Sequence, residues 1–168
     1  MKTKEEMIME TSEMITEYYD NGQKQYEGHY KNGQLEGLAT SWHKNDQKSI
    51  EQNYKNGKEE GLTTSWHENG QKKSEVTFKN GKLDGLMTRY YENGKKESEQ
   101  NYKNGKEEGL TTFWHVNGQK SFEGNSKILG EDGHYIQWHD NGHKSSEGHF
   151  KNGKLEEQTE WDVEGELV

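Results

Sequence analysis

An all-β fold, an elongated single-layer antiparallel meander of tandem hairpins, is predicted by three observations. First, residues 53–72 (NYKNGKEEGLTTSWHENGQK) recur almost letter for letter as residues 101–120. Second, Trp42, Trp66, Tyr90, Trp114 and Trp138 stand 24 residues apart, with Tyr18 extending the series backwards. Third, each 24-residue unit carries two turn signals, one after the Trp series and one in a [YF]-K-N-G series that starts at Tyr30, Tyr54, Phe78, Tyr102 and Phe150. A fixed period of this length is the mark of a repeat array. Asn–Gly is the strongest short hairpin signal because both residues tolerate positive φ. Two tight turns per unit leave room for two strands, which must then run antiparallel.

Composition agrees with a folded chain that has little core. Only 25% of residues are hydrophobic, the net charge is −9 and mean hydropathy is −1.48. Such values ordinarily indicate disorder. Against that, proline is absent and aromatic residues make up 11% of the chain at regular intervals. There is no cysteine, hence no disulfide or thiolate metal site. No apolar run approaches the ~18 residues of a membrane-spanning helix, and residues 1–15 lack a secretory apolar stretch. The chain as written reads as cytoplasmic; an exported or cell-surface protein trimmed of its signal would read the same.

The units follow in order. Residues 1–13 fall outside the period and form a leader or cap. Helical spacing of Met7, Ile8, Thr11, Met14 and Ile15 competes there with a strand from about Met14, which matches the Leu-x-Thr-x-Trp pattern better. The array proper spans residues 14–168. Parity within Leu62, Thr64, Trp66 and Ser74, Val76, Phe78 predicts three-residue loops at both E-N-G and K-N-G, and one apolar face for all the aromatic residues. Lys127-Ile128-Leu129 replaces one K-N-G. The last unit, KLEEQTEWDVEGELV, is one residue short and acidic, which suits a terminal cap that resists edge pairing.

The pattern from Tyr26 to Leu38 resembles the MORN repeat. The W-H-x-N-G-Q-K element is similar to its bacterial variant, found in YwqK-family antitoxins. The resemblance covers roughly residues 14–165 and implies an elongated sheet of hairpins that binds other proteins, or membranes in some cases, and that is not an enzyme. One departure is that the glycine of Tyr26-Glu27-Gly28 becomes Gln52, Val76 and Gln100 in the next units.

The candidate binding residues are the aromatic stripe, Trp42, Trp66, Tyr90, Trp114 and Trp138 with Tyr54, Phe78 and Tyr102. Aromatic-rich patches mark interfaces, though such rings also stack as a repeat's own core. Phe113 and Val116, the two changes in the duplicated twenty residues, form a second candidate spot, and parity puts Phe113 on the polar face, where its counterpart is Ser65. His43, His67, His115 and His139 make a ladder whose ~9.5 Å spacing is too wide for one metal ion, so no metal or cofactor is expected. Glu27, Glu51, Glu75, Glu99, Glu123 and Glu147 repeat in identical settings, unlike the paired, differently placed carboxylates of an acid–base catalyst. Lysine rows line both rims, but carboxylates outnumber them, which argues against nucleic acid and, nearly as strongly, against membranes. The expected function is a non-enzymatic protein-binding scaffold, antitoxin-like or immunity-like; a carbohydrate or cell-wall module is the alternative. A monomer is expected, with edge-to-edge self-association as the competing state.

Overall fold

The computed structural model describes residues 11–125 and 132–168. The strands in chain order are β1 (Ser12–Tyr18), β2 (Lys24–Lys31), β3 (Gln34–Trp42), β4 (Lys48–Lys55), β5 (Lys58–Glu59), β6 (Gly61–Trp66) and β7 (Lys72–Lys79). They continue as β8 (Lys82–Tyr90), β9 (Lys96–Lys103), β10 (Lys106–Trp114), β11 (Lys120–Asn125), β12 (Gly133–Trp138), β13 (Lys144–Lys151) and β14 (Lys154–Glu160). Each pairs antiparallel with its sequence neighbours in one open, elongated sheet, with the two-residue β5 continuing the β4 edge beside β6. The strand expected from about Met14 is β1, starting at Ser12. Residues 7–10 of the competing helix lie outside the described residues, as do Lys127, Ile128 and Leu129.

The two turns of a unit differ. At Glu68-Asn69-Gly70, the His67 N–H donates to the Gln71 carbonyl and the Gly70 N–H to the His67 carbonyl, 2.9 Å each. This is the three-residue loop that parity predicts, with Gly70 at φ 81°. The K-N-G turn corrects that expectation. Lys79 pairs with Lys82, so the loop is the two residues Asn80 and Gly81 alone, at φ 52° and 76°. Positive φ at both centres defines the type I′ hairpin turn, whose twist suits the flanking strands.

A bulge then changes the faces. Trp66 lies opposite Lys72, but Ser65 lies opposite Ser74, so Lys73 is an extra residue on β7. The same irregularity recurs beside Tyr18, Trp42, Tyr90, Trp114 and Trp138. One inserted residue moves everything beyond it to the opposite face. The single aromatic stripe is therefore split. Trp42, Trp66, Tyr90, Trp114 and Trp138 share a face with Leu62, Thr64 and Glu75; Tyr54, Phe78 and Tyr102 lie on the other with Thr63, Val76 and Met87.

Burial is correspondingly thin. The buried apolar residues are Ala39, Val76 and Tyr135, and the buried polar ones are mostly threonine and serine. Most of these sit in the middle of the Val76 face, screened by neighbouring side chains rather than by a second layer. Leu38, Leu62, Leu86 and Leu110, on the Trp face, stay between 46% and 53% exposed.

What replaces a core is a set of ties between neighbouring units. The Asn69 side-chain amide donates to the Glu92 carbonyl at 2.8 Å, while its Oδ1 accepts from the Gln71 N–H at 2.9 Å. Asn21, Asn45, Asn93, Asn117 and Asn141 repeat the arrangement. The His67 Nε2–H donates to the Tyr90 carbonyl at 2.9 Å, and His43, His115 and His139 act alike. At the other rim, the Glu60 carboxylate accepts from the Asn80 N–H at 2.7 Å, and the Gly81 N–H donates to the Glu59 carbonyl. Apart from the Asn Oδ1 bonds, which close turns within a unit, each of these bonds crosses from one unit to the next.

Candidate functional site

The Trp face is built from repeated local pairs. Lys24, Lys48, Lys72, Lys96, Lys120 and Lys144 each bind the glutamate three residues on, from Glu27 to Glu147. Five of these ammonium groups also sit over an indole: Lys24 over Trp42, Lys48 over Trp66, Lys96 over Trp114, Lys120 over Trp138 and Lys144 over Trp161, 5.5–5.8 Å from the ring. Cation–π attraction of this kind contributes roughly 0.5–1 kcal/mol at exposed sites. Where Tyr90 replaces tryptophan, its hydroxyl donates to the Glu75 carboxylate at 2.9 Å. The Lys72 ammonium, and then this hydroxyl, hold the Glu75 carboxyl below its ordinary value; burial, and then Glu75, raise the Tyr90 phenol. The glutamate ladder is thus a structural brace. One face of each tryptophan in the Trp42, Trp66, Trp114 and Trp138 series is already taken by a lysine.

The opposite face changes character along its length. At the cross-strand pair nearest the Trp turn, Ser65 and Ser74 share a hydroxyl hydrogen bond of 2.7 Å, and Ser146 donates to Gln137 at 2.8 Å. The equivalent pair on β10 and β11 is Phe113 and Phe122. Their ring centroids are 5.8 Å apart, and the contact runs on from Phe122 to Tyr135 at 6.4 Å and from Tyr135 to Phe150 at 5.7 Å. Four adjacent strands therefore carry one continuous chain of rings. Tyr135 lies between Gly124 and Gly148 and covers the latter: a Cβ at Gly148 would meet its ring at 2.6 Å. Phe113 keeps 37% of its surface exposed. It lies opposite the Trp face, as parity predicts, but that side is not a polar one.

Sequence reasoning singled out Phe113 and missed Phe122 and Tyr135, since their meeting depends on the bulge. Val116 stands apart at a turn tip, 61% exposed, its carbonyl accepting from Asn93. The histidine ladder proves to be the set of inter-unit struts. The signal for that was in the sequence: Tyr19 and Tyr91 occupy histidine slots, and their hydroxyls donate to the Trp42 and Trp114 carbonyls at 2.6 Å. Among the described residues no group of three or more His, Asp or Glu is placed to hold a metal ion, and no helix is long and apolar enough to cross a membrane.

These features define a tandem β-hairpin repeat scaffold held by neighbour-to-neighbour bonds. Residues 15–32, 35–56, 59–80, 83–104 and 131–152 match the MORN repeat variant, MORN_2, and the chain belongs to that family. No curated protein gives a significant match. The interval left unmatched between the last two segments, residues 105–130, contains Phe113, Val116 and Phe122.

Proposed function

We propose that this protein is a non-enzymatic scaffold that binds another protein side-on, in an antitoxin-like or immunity-like role. The observation that carries the reading is the ring chain Phe113–Phe122–Tyr135–Phe150, which lies on a sheet face with no second layer over it among the described residues. Tyr135 is buried within the chain, while Phe113 is exposed and Phe122 and Phe150 are half-buried, and soluble proteins seldom leave such aromatic surface open unless something docks there. Aromatic anchors also dominate binding energy in protein interfaces. Tyr54, Phe78 and Tyr102 extend the same face toward the N-terminus. Trp42, Trp66, Tyr90, Trp114 and Trp138, each engaged by its own lysine or glutamate, act chiefly in holding the units together.

A photo-crosslinking residue at Phe150, compared with one at Leu62 on the Trp face, tests the reading in source cells. A discrete protein adduct from position 150 and none from position 62 is the expected result. Adducts from position 62 alone would move the interface to the Trp face. Capture of glycan instead of protein would favour the carbohydrate alternative.

A further inference from the structure

Beside the ring chain, an open depression of about 500 Å³ is lined by Tyr91, Glu97, Phe113, Trp114, Ser121, Phe122 and Gln137. Two of these, Glu97 and Phe113, have no counterpart of their kind at the equivalent positions of the other units. Tyr91 stands in a slot held by histidine at 43, 67, 115 and 139 and by tyrosine at 19. Glu97, the extra residue of its bulge, corresponds to Gln25, Ser49, Lys73, Ser121 and Ser145. Phe113 corresponds to Glu17, Ser41, Ser65, Arg89 and Gln137, and Phe122 to Tyr26, Ile50, Ser74, Ser98 and Ser146. The one acidic and the one aromatic change fall at the same place, beside the rings of Tyr91 and Phe122.

Their chemistry is that of a receptor for a cation. Every glutamate of the Trp-face ladder has its lysine, but no cation is paired with Glu97 among the described residues. The nearest lysine in sequence, Lys96, is committed to Glu99 and to the Trp114 ring. Glu97 is only half exposed and lies among aromatic rings. The Tyr91 phenol is raised by burial and then by the Glu97 charge, which is consistent with a carboxylate facing the rings. Covering this carboxylate with a purely apolar group would leave a charge desolvated and unpaired, at high cost. A cation satisfies both the carboxylate and the ring faces. Arginine suits the site better than lysine: its guanidinium is planar, weakly hydrated, stacks on aromatic faces and forks onto a carboxylate.

We propose that this depression seats an arginine side chain of the partner protein, stacked on Phe113 and Phe122 and hydrogen-bonded to Glu97. The inference rests on the protein-scaffold reading and adds the chemistry of one anchor to it. The test is an NMR titration of the ¹⁵N-labelled full chain with the capped peptide acetyl-Gly-Arg-Gly-amide and with its Gly-Lys-Gly counterpart. Saturable shifts at the amides of residues 97, 113 and 122, with millimolar affinity and weaker response to the lysine peptide, are expected. Glu97→Gln should weaken the arginine response about tenfold or more, since a charge-assisted bond is lost. The double change Phe113→Ser/Phe122→Ser should abolish it, and it restores the serine pair that the array already folds with at Ser65 and Ser74. No saturable shift at these amides, or equal affinity in Glu97→Gln, overturns the proposal. Protein crosslinking from position 150 that persists in that case leaves the scaffold reading standing without this anchor.

Discussion

One asparagine side chain does two jobs at each Trp turn. Its oxygen closes the turn of its own unit, and its amide ties that turn to the carbonyl of the next. Glycine or serine would serve the turn but not the tie. Asn69→Ala is therefore expected to cost about 1–2 kcal/mol, two hydrogen bonds of ordinary net worth, measured by urea unfolding. The strut at His67 allows a sharper comparison. His67→Tyr copies Tyr19 and Tyr91 and should leave stability within about 0.5 kcal/mol, whereas His67→Phe loses the donor and should cost about 1 kcal/mol. Equal losses for the two variants would remove the strut from the account. Ionisation acts at this scale too. Glu75 and Glu147 are held below their ordinary 4.5, chiefly by the Lys72 and Lys144 ammonium groups. A depressed folded value means the contribution is complete above the ordinary value and disappears as pH falls through the folded one. Tyr54 and Tyr102 are raised above 10.0, chiefly by burial, so their contribution is complete below that value and disappears as pH rises through the folded one. Urea midpoints should thus hold steady across neutral pH and fall at both the acid and the alkaline end.

At the scale of elements, the period, the strands and the hairpins were all legible, because Asn–Gly and the aromatic spacing are local features. The faces were not. Lys73 occupies the bulge on β7, and nothing in a lysine between Lys72 and Ser74 announces an unpaired residue. Counting alternation through it puts Val76 beside Trp66, which the pairing of Val76 with Thr63 contradicts. The split of the aromatic stripe and the place of Glu97 in the depression that Phe113 and Phe122 also line both follow from that one residue per unit. The K-N-G turn was misjudged for a related reason: Asn–Gly serves two- and three-residue loops alike, and only the Lys79–Lys82 pairing distinguishes them. With both centres at positive φ, that turn has a specific requirement. Gly81→Ala should cost about 1–2 kcal/mol, since Gly81 sits at φ 76° where a Cβ is strained rather than crowded. An unchanged urea midpoint would contradict the turn assignment.

The described residues form a sheet without a second layer, and the low hydrophobicity of the chain follows from that. Inter-unit hydrogen bonds, Lys–Glu–Trp stacks and turn ties do locally what a shared core does globally elsewhere. Each unit touches mainly its two neighbours, so stability should add up along the array as in other repeat proteins. Apolar side chains are then free to stay at the surface, and the ring chain on β10–β13 is the outcome that bears on function. The most direct test of this architecture is to excise one period, residues 53–76, joining Gln52 to Thr77 in phase, and to follow urea unfolding by tryptophan fluorescence. A cooperatively folded protein whose denaturant slope falls roughly in proportion to the residues removed is expected, because the slope tracks the surface exposed on unfolding. An excised chain that fails to fold would show that stability resides in one indivisible core, and would contradict the account.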